Sequence, residues 1–274
     1  MVKQIRINDI KNIMKYFIIN AFTDNLDSGN QAAVCLFEQP VNDELMQGIA
    51  SEFGLSETAF IEKNNSGFGL RWFTPRVEVD LCGHATLASA HVLWEQGLVK
   101  PDLTINFDTL SGRLSVNKMN ELLIMDFPRE DAVETECPEE IKKGFKIAPV
   151  FTGKNRFDYI AEVQNEEIVR TLEPDFSILE KLDTRGVIIT SASESADYDF
   201  VSRFFAPNAG IPEDPVTGSA HCCLAPYWSS RFNKPKLTGY QASERGGFVY
   251  VEQKEKRVLL GGKAVTFSSG KLMD

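Results

Sequence analysis

The sequence predicts an α+β protein with two similar domains, each a set of β-strands wrapped around a central helix. The main reason is an internal repeat, because residues 71–94 and 203–228 carry the same features in the same order. Strand-like runs rich in β-branched and aromatic residues occupy much of the remaining chain. The length of 274 residues is also sufficient for two compact domains.

Both copies of the repeat lead from a strand through a loop into a helix of small residues. Each copy begins with an arginine followed by aromatic residues and a proline, and each helix ends near a tryptophan. Just before the helix, the first copy has Gly83-His84-Ala85 and the second has Gly218-Ser219-Ala220. The small residues along both helices predict that each helix is buried deeply against its own sheet.

The first half alternates strand and helix signals. A helix is predicted over 42–53, because Asn42 is a good N-cap and apolar residues recur behind it at helical spacing. A second helix over 85–94 is followed by Gly97, a residue type that favours helix C-termini. Strands are predicted over 14–22, 32–37, 55–63 and 68–74, with three more between 103 and 127.

An acidic stretch over 129–140, poor in large apolar residues, is the best candidate for a domain boundary. We therefore predict domains over 14–128 and 129–274, with the last strand a candidate for crossing back to the first half. The second half contains three strand-like runs and a helix over 220–228. Residues 1–13 have weak patterning and are predicted to be a leader or tail, which makes Met14 a candidate start.

The composition restricts the possible partners and location. A formal net charge of −10 argues against a nucleic-acid partner, which requires a basic surface. No apolar run is long enough to span a bilayer and no secretory signal is recognisable, so we expect no membrane partner and a cytoplasmic location. Five scattered cysteines without a CxxC spacing are typical of reduced thiols and predict no structural zinc site. No glycine-rich nucleotide motif is present either, so the sequence does not suggest a bound nucleotide.

The starts of the two repeat helices predict an anion-binding arrangement. The first N–H groups of a helix are unpaired and lie at the positive end of the helix dipole. Gly83 and Gly218 stand at these positions, and a glycine lets a ligand approach the backbone closely. If the two helix N-termini face each other, they form a cradle for a substrate carboxylate.

Four motifs together resemble the phenazine-biosynthesis-like isomerase family (PhzF-type), within the diaminopimelate-epimerase-like superfamily. They are MKYFIINAFTDNLDSGNQAAV, LSETAFI, RWFTPRVEVDLCGHATLASAHVL and EDPVTGSAHCCLAPYW, and they occur in the family's order over nearly the whole chain. The resemblance implies a mixed, curled sheet around the central helix of each domain, with the active site in the cleft between the domains. It also implies a homodimeric isomerase that moves a proton within a small-molecule substrate, without metal or cofactor.

The resemblance also implies the roles of individual residues. Glu57 of the LSETAFI motif is expected to be the general acid/base, and His84, Asp214 and Ser219 are expected to assist it. Gly83 and Gly218 are expected to bind the substrate carboxylate through backbone amides, together with the adjoining Ala85 and Thr217. One position departs from the family pattern, because Gln31 follows Gly29-Asn30 where a proline often stands.

Taken without the resemblance, the same residues have simpler interpretations. Strand alternation puts Glu57 in line with Leu55 and Ala59, where burial would raise the pKa of its carboxyl, but the strand alone favours an exposed glutamate on a solvated face. Asp214 and His84 each suit a turn or cap at a helix start. Glu213 is expected to be a surface charge.

Cys82 supports an alternative function. Two-base epimerases of this superfamily use a cysteine before the glycine in each half, and here the second half has Thr217 instead. A threonine hydroxyl is a poor base compared with a thiol. We therefore predict a Glu57-driven isomerase. An epimerase or racemase led by Cys82 and a non-catalytic small-molecule binder are the alternatives.

Overall fold

The computed structural model describes residues 14–37, 39–64 and 67–272 of the chain. They divide into two compact units. The first unit contains the described residues up to 125 and those from 262 onward, and the second is Asp126–Gly261. The predicted boundary lies at 128/129, the units divide at 125/126, and the C-terminal segment belongs to the first unit, as the crossing of the last strand would require. The predicted leader or tail over 1–13 lies outside the described residues.

The two units contain six α-helices and eighteen strands among the described residues. In chain order the elements are β1 Met14–Ala21, β2 Asn30–Phe37, α1 Asp43–Phe53, β3 Glu57–Asn64, β4 Gly67–Phe73, β5 Glu78–Val79, α2 Gly83–Glu95, β6 Ile105–Thr109, β7 Gly112–Met119, β8 Leu122–Pro128, β9 Val133–Glu134, α3 Glu139–Phe145, β10 Phe151–Lys154, β11 Asp158–Glu162, α4 Glu166–Thr171, α5 Phe176–Leu179, β12 Gly186–Ala192, β13 Phe200–Ala206, β14 Ile211–Asp214, α6 Gly218–Phe232, β15 Lys236–Gln241, β16 Gly247–Gln253, β17 Arg257–Gly262 and β18 Ala264–Leu272.

The first unit is a mixed sheet around α2. Strand β1 lies between β18 and β2, antiparallel to both, and β2 is parallel to β3. Beyond β3 the order continues with an antiparallel β4, a parallel β6 and an antiparallel β7 and β8. Helix α2 contacts β1, β2, β3 and β18. Nearly all of its residues are buried, as expected for a helix that is enclosed by a sheet.

The second unit repeats this order of strands. Strand β10 is antiparallel to β11, which is parallel to β12, and β12 is antiparallel to β13. A parallel β15 and an antiparallel β16 and β17 then follow. Along the chain, helix α6 follows β14 and precedes β15, just as α2 follows β5 and precedes β6 in the first unit. The repeat that the sequence predicted is therefore confirmed as two units of the same topology.

The observed helices agree with the predicted ones to different degrees. Helix α1 begins as predicted, since the side chain of Asn42 accepts a hydrogen bond from the Leu45 N–H at 2.9 Å. Helices α2 and α6 begin two residues earlier than predicted, at the glycines themselves, with Cys82 and Thr217 at the N-cap positions. The short helices α3, α4 and α5 of the second unit were not predicted.

An arginine–glutamate pair recurs at the same place in each unit. Arg71 on β4 makes two hydrogen bonds to Glu78 on β5, at 2.6 and 2.7 Å, and Arg203 on β13 makes two to Glu213 on β14, at 2.7 and 2.8 Å. The expectation that Glu213 is a surface charge was wrong. Its carboxylate is half-buried and pairs with the buried Arg203 guanidinium, whose charge it neutralises.

No helix within the described part of the chain is long and apolar enough to cross a membrane.

Candidate active site

Glu57, Cys82 and His84 come together in the first unit. Glu57 is the first residue of β3, and His84 is the second residue of α2. His84 Nε2 lies 3.3 Å from Glu57 Oε2, and the Cys82 sulfur lies 3.5 Å from His84 Nδ1. The side chains of His84 and Glu57 are only 6% and 13% exposed. The structure therefore gives Glu57 a buried partner, which excludes the simple interpretation as an exposed strand glutamate.

The burial of Glu57 does not arise from strand alternation. Leu55 precedes the strand, and β3 contacts both α1 and α2, so that Thr58 and Ala59 are both fully buried although they point to opposite faces. Alternation along β3 therefore does not by itself explain the burial of Glu57, whose carboxyl is desolvated.

Asn30 determines which nitrogen of His84 carries the proton. Its side-chain nitrogen lies 3.4 Å from His84 Nδ1, and an amide N–H can only donate. In neutral His84, Nδ1 is then the acceptor and the proton is on Nε2, facing Glu57. Gly29 allows this placement, because it has φ +78° and an added Cβ would lie 2.4 Å from the carbonyl oxygen of Ala21. No role for Asn30 was predicted from the sequence.

The environment of Glu57 favours the protonated form at a higher pH than usual. Burial raises the pKa of the carboxyl above its ordinary range, while hydrogen bonds from Ser56 and Cys82 act in the opposite direction. Because Cys82 stabilises the carboxylate, its thiol acts as a donor in this arrangement. A carboxyl whose pKa is raised holds its proton more readily than an ordinary glutamate and can still release it, which is what a general acid/base requires.

Replacing Ser56 by alanine is expected to raise the pKa of Glu57 further, because a hydrogen bond to the carboxylate is lost. Carbon-13 NMR titration of protein labelled at the glutamate carboxyl carbons measures this, with the Glu57 signal identified by its loss in Glu57→Gln. Since the folded pKa is raised, the contribution of Glu57 to stability is largest below the unfolded pKa of about 4.3 and is lost as pH rises through the folded pKa. Ser51→Ala on the exposed face of α1 is the control. An unchanged or lower Glu57 pKa in Ser56→Ala would contradict the assignment.

A second group of predicted residues lies at the start of α6 in the second unit. Asp214 ends β14, Thr217 is the N-cap, and Gly218 and Ser219 are the first two residues of the helix. The Thr217 hydroxyl donates to the Asp214 carboxylate. Asp214 is therefore not the cap of α6 but is linked to the cap residue, three positions further along the chain.

Gln241 connects these residues, and its role was not predicted from the sequence. It is fully buried at the end of β15. Its side-chain oxygen accepts from the Thr217 N–H at 2.8 Å, and its nitrogen donates to the carbonyl oxygen of Asp214 at 2.6 Å and to the Thr217 hydroxyl at 3.2 Å. No local motif marks Gln241, because its partners are more than twenty residues away in the chain.

Replacing Gln241 by leucine is expected to destabilise the protein by about 1–3 kcal/mol, because the Thr217 N–H and the Asp214 carbonyl lose their buried partner. Urea unfolding measures the loss. The control is Gln164→Leu, whose side chain makes an exposed hydrogen bond to Ala148 and whose replacement should change stability by no more than about 0.5 kcal/mol. Equal effects of the two substitutions would show that Gln241 does not organise the start of α6.

The predicted residues therefore form two groups, one in each unit. Glu57, Gly83, His84 and Ala85 belong to the first unit, and Asp214, Thr217, Gly218 and Ser219 belong to the second. Ala85 is fully buried, so only its backbone suits a binding role. That the two groups act on one substrate stays a prediction.

Comparison with known proteins shows the family. The family model described as phenazine biosynthesis-like protein, PhzC-PhzF, matches residues 19–270. A protein of Halalkalibacterium halodurans named as an uncharacterized isomerase is 49% identical over 258 residues, which cover 94% of this chain and 97% of that protein. A PhzF-family protein of Enterococcus faecalis, solved by crystallography, is 42% identical with a TM-score of 0.92, and the match covers 95% of this chain and 99% of that one.

A more distant solved structure has the same fold. The hydroxyproline epimerase of Agrobacterium vitis, solved with trans-4-hydroxy-L-proline, has a TM-score of 0.65 over 96% of this chain and 93% of its own at 10% identity. At that identity the likeness concerns the fold alone, and it agrees with the fold that the sequence predicted. On the match over nearly its whole length, the chain belongs to the phenazine biosynthesis-like (PhzC-PhzF) family and is an isomerase.

Proposed function

We propose that the protein isomerises a small carboxylate-bearing molecule by moving a proton from one carbon to another, with Glu57 as the general acid/base. The observation that carries the proposal is the buried Glu57 carboxyl, whose pKa is raised by burial and which is 3.3 Å from the Nε2 of His84. A side chain that first accepts and then returns a proton needs both a tuned pKa and a fixed position.

The proposed reaction uses a single base in two steps. The Glu57 carboxylate removes a proton from a carbon next to a double bond or carbonyl group, and the electron pair left behind moves into the conjugated system. Glu57, now a carboxylic acid, returns the proton to a different carbon and becomes a carboxylate again. The Nε2–H of His84 holds Glu57 in position between the steps, and Asn30 keeps the proton on that nitrogen.

We further propose that the helix starts bind the substrate carboxylate. The first turns of α2 and α6 begin at Gly83 and Gly218, where the first backbone N–H groups have no partner within the helix and the helix dipole favours an anion. Asp214, Thr217 and Ser219 are proposed to position the substrate's polar groups. The hydrogen bonds of Gln241 would keep this start of the helix in place for a substrate.

An epimerase that uses Cys82 as a base is the second candidate function. Its sulfur contacts His84 Nδ1 at 3.5 Å, so the thiol lies within reach of an imidazole that can accept its proton. The equivalent N-cap of the second unit is Thr217, which offers no thiol for a second base. A Cys82-led epimerase therefore needs a different partner on the opposite face of the substrate carbon.

Deuterium incorporation from D₂O tests the proposal. Wild-type protein is incubated with a panel of small dienyl and cyclic carboxylates and amino acids, and carbon-bound deuterium is followed by NMR. Incorporation that is lost in Glu57→Gln supports the proton shuttle, whereas incorporation that survives Glu57→Gln but is lost in Cys82→Ala supports the epimerase. If no compound exchanges but some raise the melting temperature, the protein is a binder. The homodimer and the cytoplasmic location stay predictions.

A further inference from the structure

We propose that Glu57, Cys82 and His84 form a reversible binding site for Zn²⁺, and that its occupation blocks the proton-transfer centre. The inhibitory consequence depends on the function proposed above, but the cation site does not. Carboxylate, thiolate and imidazole are the side-chain ligands that zinc takes in proteins, and three of them with a fourth position left open make a complete site. Among the residues that the structure describes, this is the only group of three or more such side chains with its ligand atoms this close together.

The distance between two of the three ligand atoms suits one ion, and the third lies close by. Zinc–ligand bonds of about 2.0–2.3 Å in tetrahedral geometry place the ligand atoms roughly 3.3–3.6 Å apart. The Cys82 sulfur is 3.5 Å from His84 Nδ1, and Glu57 Oε2 is 3.3 Å from His84 Nε2. One ligand atom from each of the three side chains can be chosen so that all lie within 4.8 Å of one another. Since an ion uses only one imidazole nitrogen, we place it at Nδ1 beside the Cys82 sulfur, where it replaces the contact with Asn30 and requires the Glu57 carboxylate to turn towards that nitrogen.

The charge of the occupied site also balances. Binding replaces the proton of the Cys82 thiol by the ion, and the proton is released to water. The thiolate and the Glu57 carboxylate then neutralise Zn²⁺, so no net charge is left among the buried side chains. The positive end of the α2 dipole disfavours a cation here, and the two anionic ligands compensate for it.

The ligand set predicts which cations bind. A thiolate with an imidazole favours Zn²⁺, Co²⁺ and Cd²⁺, whereas Mg²⁺ and Ca²⁺ prefer sites made of oxygen ligands alone. Bound Zn²⁺ would occupy the lone pairs of the Glu57 carboxylate, which are the atoms that accept the substrate proton in the proposed reaction. Inhibition by Zn²⁺, reversed by a chelator, is therefore expected.

Titration with Co²⁺ tests the site without any need for a substrate. The chain is first reduced and treated with a chelator, and Co²⁺ is then added while thiolate-to-cobalt absorption in the near ultraviolet is recorded. We expect one equivalent to bind with this absorption, displacement by Zn²⁺ but not by Mg²⁺, and at least tenfold weaker binding in Cys82→Ser and in His84→Ala. Cys137→Ser, which alters a half-buried cysteine of the second unit, is the matched control and should bind as wild type does.

Two outcomes would overturn the cation site. One is saturation with Co²⁺ without thiolate absorption in the folded protein, and the other is unchanged absorption in Cys82→Ser. Circular dichroism of each variant separates lost binding from lost folding, and Cys82→Ala provides a second test if the serine variant does not fold. Because the titration needs no turnover, failure of the isomerase proposal leaves it interpretable. Conversely, Glu57-dependent deuterium exchange without Co²⁺ binding overturns only the cation site.

Discussion

Replacing Glu57 by glutamine is expected to lower the rate of isomerisation by about 10²–10⁴-fold, the range that a positioned general acid/base contributes. Glutamine has nearly the same shape but cannot take a proton from carbon. The variant should stay folded, because an amide removes a carboxyl whose ionised form is disfavoured by burial. Deuterium incorporation into the substrate measures the rate, and thermal unfolding shows that stability is not lowered.

Glu62→Gln is the matched control for this change. Glu62 lies on the same strand, β3, but points to the opposite face from Glu57. Its replacement should leave the rate of exchange within about twofold of wild type, since substitutions outside the active site and the core have small effects. A Glu57→Gln variant that exchanges deuterium as fast as Glu62→Gln would rule out Glu57 as the base.

Replacing Glu213 by alanine is expected to destabilise the protein by about 3 kcal/mol, the cost of leaving one charge of a buried pair without its partner. Arg203 is the charge that remains, and its side chain is only 11% exposed. Its hydrogen bonds to the carbonyl oxygens of Val169 and Leu172 satisfy N–H groups but do not neutralise the charge. Urea unfolding measures the total loss, and hydrogen exchange shows whether it falls on the second unit.

The equivalent change in the first unit provides a control with the same chemistry. Glu78→Ala should cost no more than about 1 kcal/mol, as for solvent-exposed ion pairs. The side chain of Arg71 is 31% exposed, and Arg71 keeps a second partner in Asp43 at 2.7 Å. If the two substitutions cost the same, burial does not decide the strength of this repeated pair.

The repeat and its two helices were predictable because their signals are local. Small residues at helical spacing, a glycine at each helix start and an arginine before each loop all lie within about 25 residues of sequence, so they can be read without a structure. Asn42 was recognised as a cap for the same reason. The helices α3 to α5 were missed because they are short and lack a clear apolar periodicity.

The contacts that give the candidate site its chemistry depend on tertiary structure. Asn30 and His84 are 54 residues apart, and Thr217 and Gln241 are 24 apart, so their hydrogen bonds depend on which strands pair and in what register. The burial of Glu57 likewise follows from helices on both faces of β3, which the alternation of its residues does not reveal.

The sequence by itself determined the family, the two related halves and the identity of the residues at the two helix starts, because each of these is carried by residues close together in the chain. Only the tertiary structure decided that Glu57 shares a buried cluster with Cys82 and His84, that Gln241 holds the start of α6, and that Glu213 is an ion-pair partner. Side-chain distances and burial follow from the packing of segments far apart in sequence, and that packing sets the pKa of Glu57 and the strength of each ion pair.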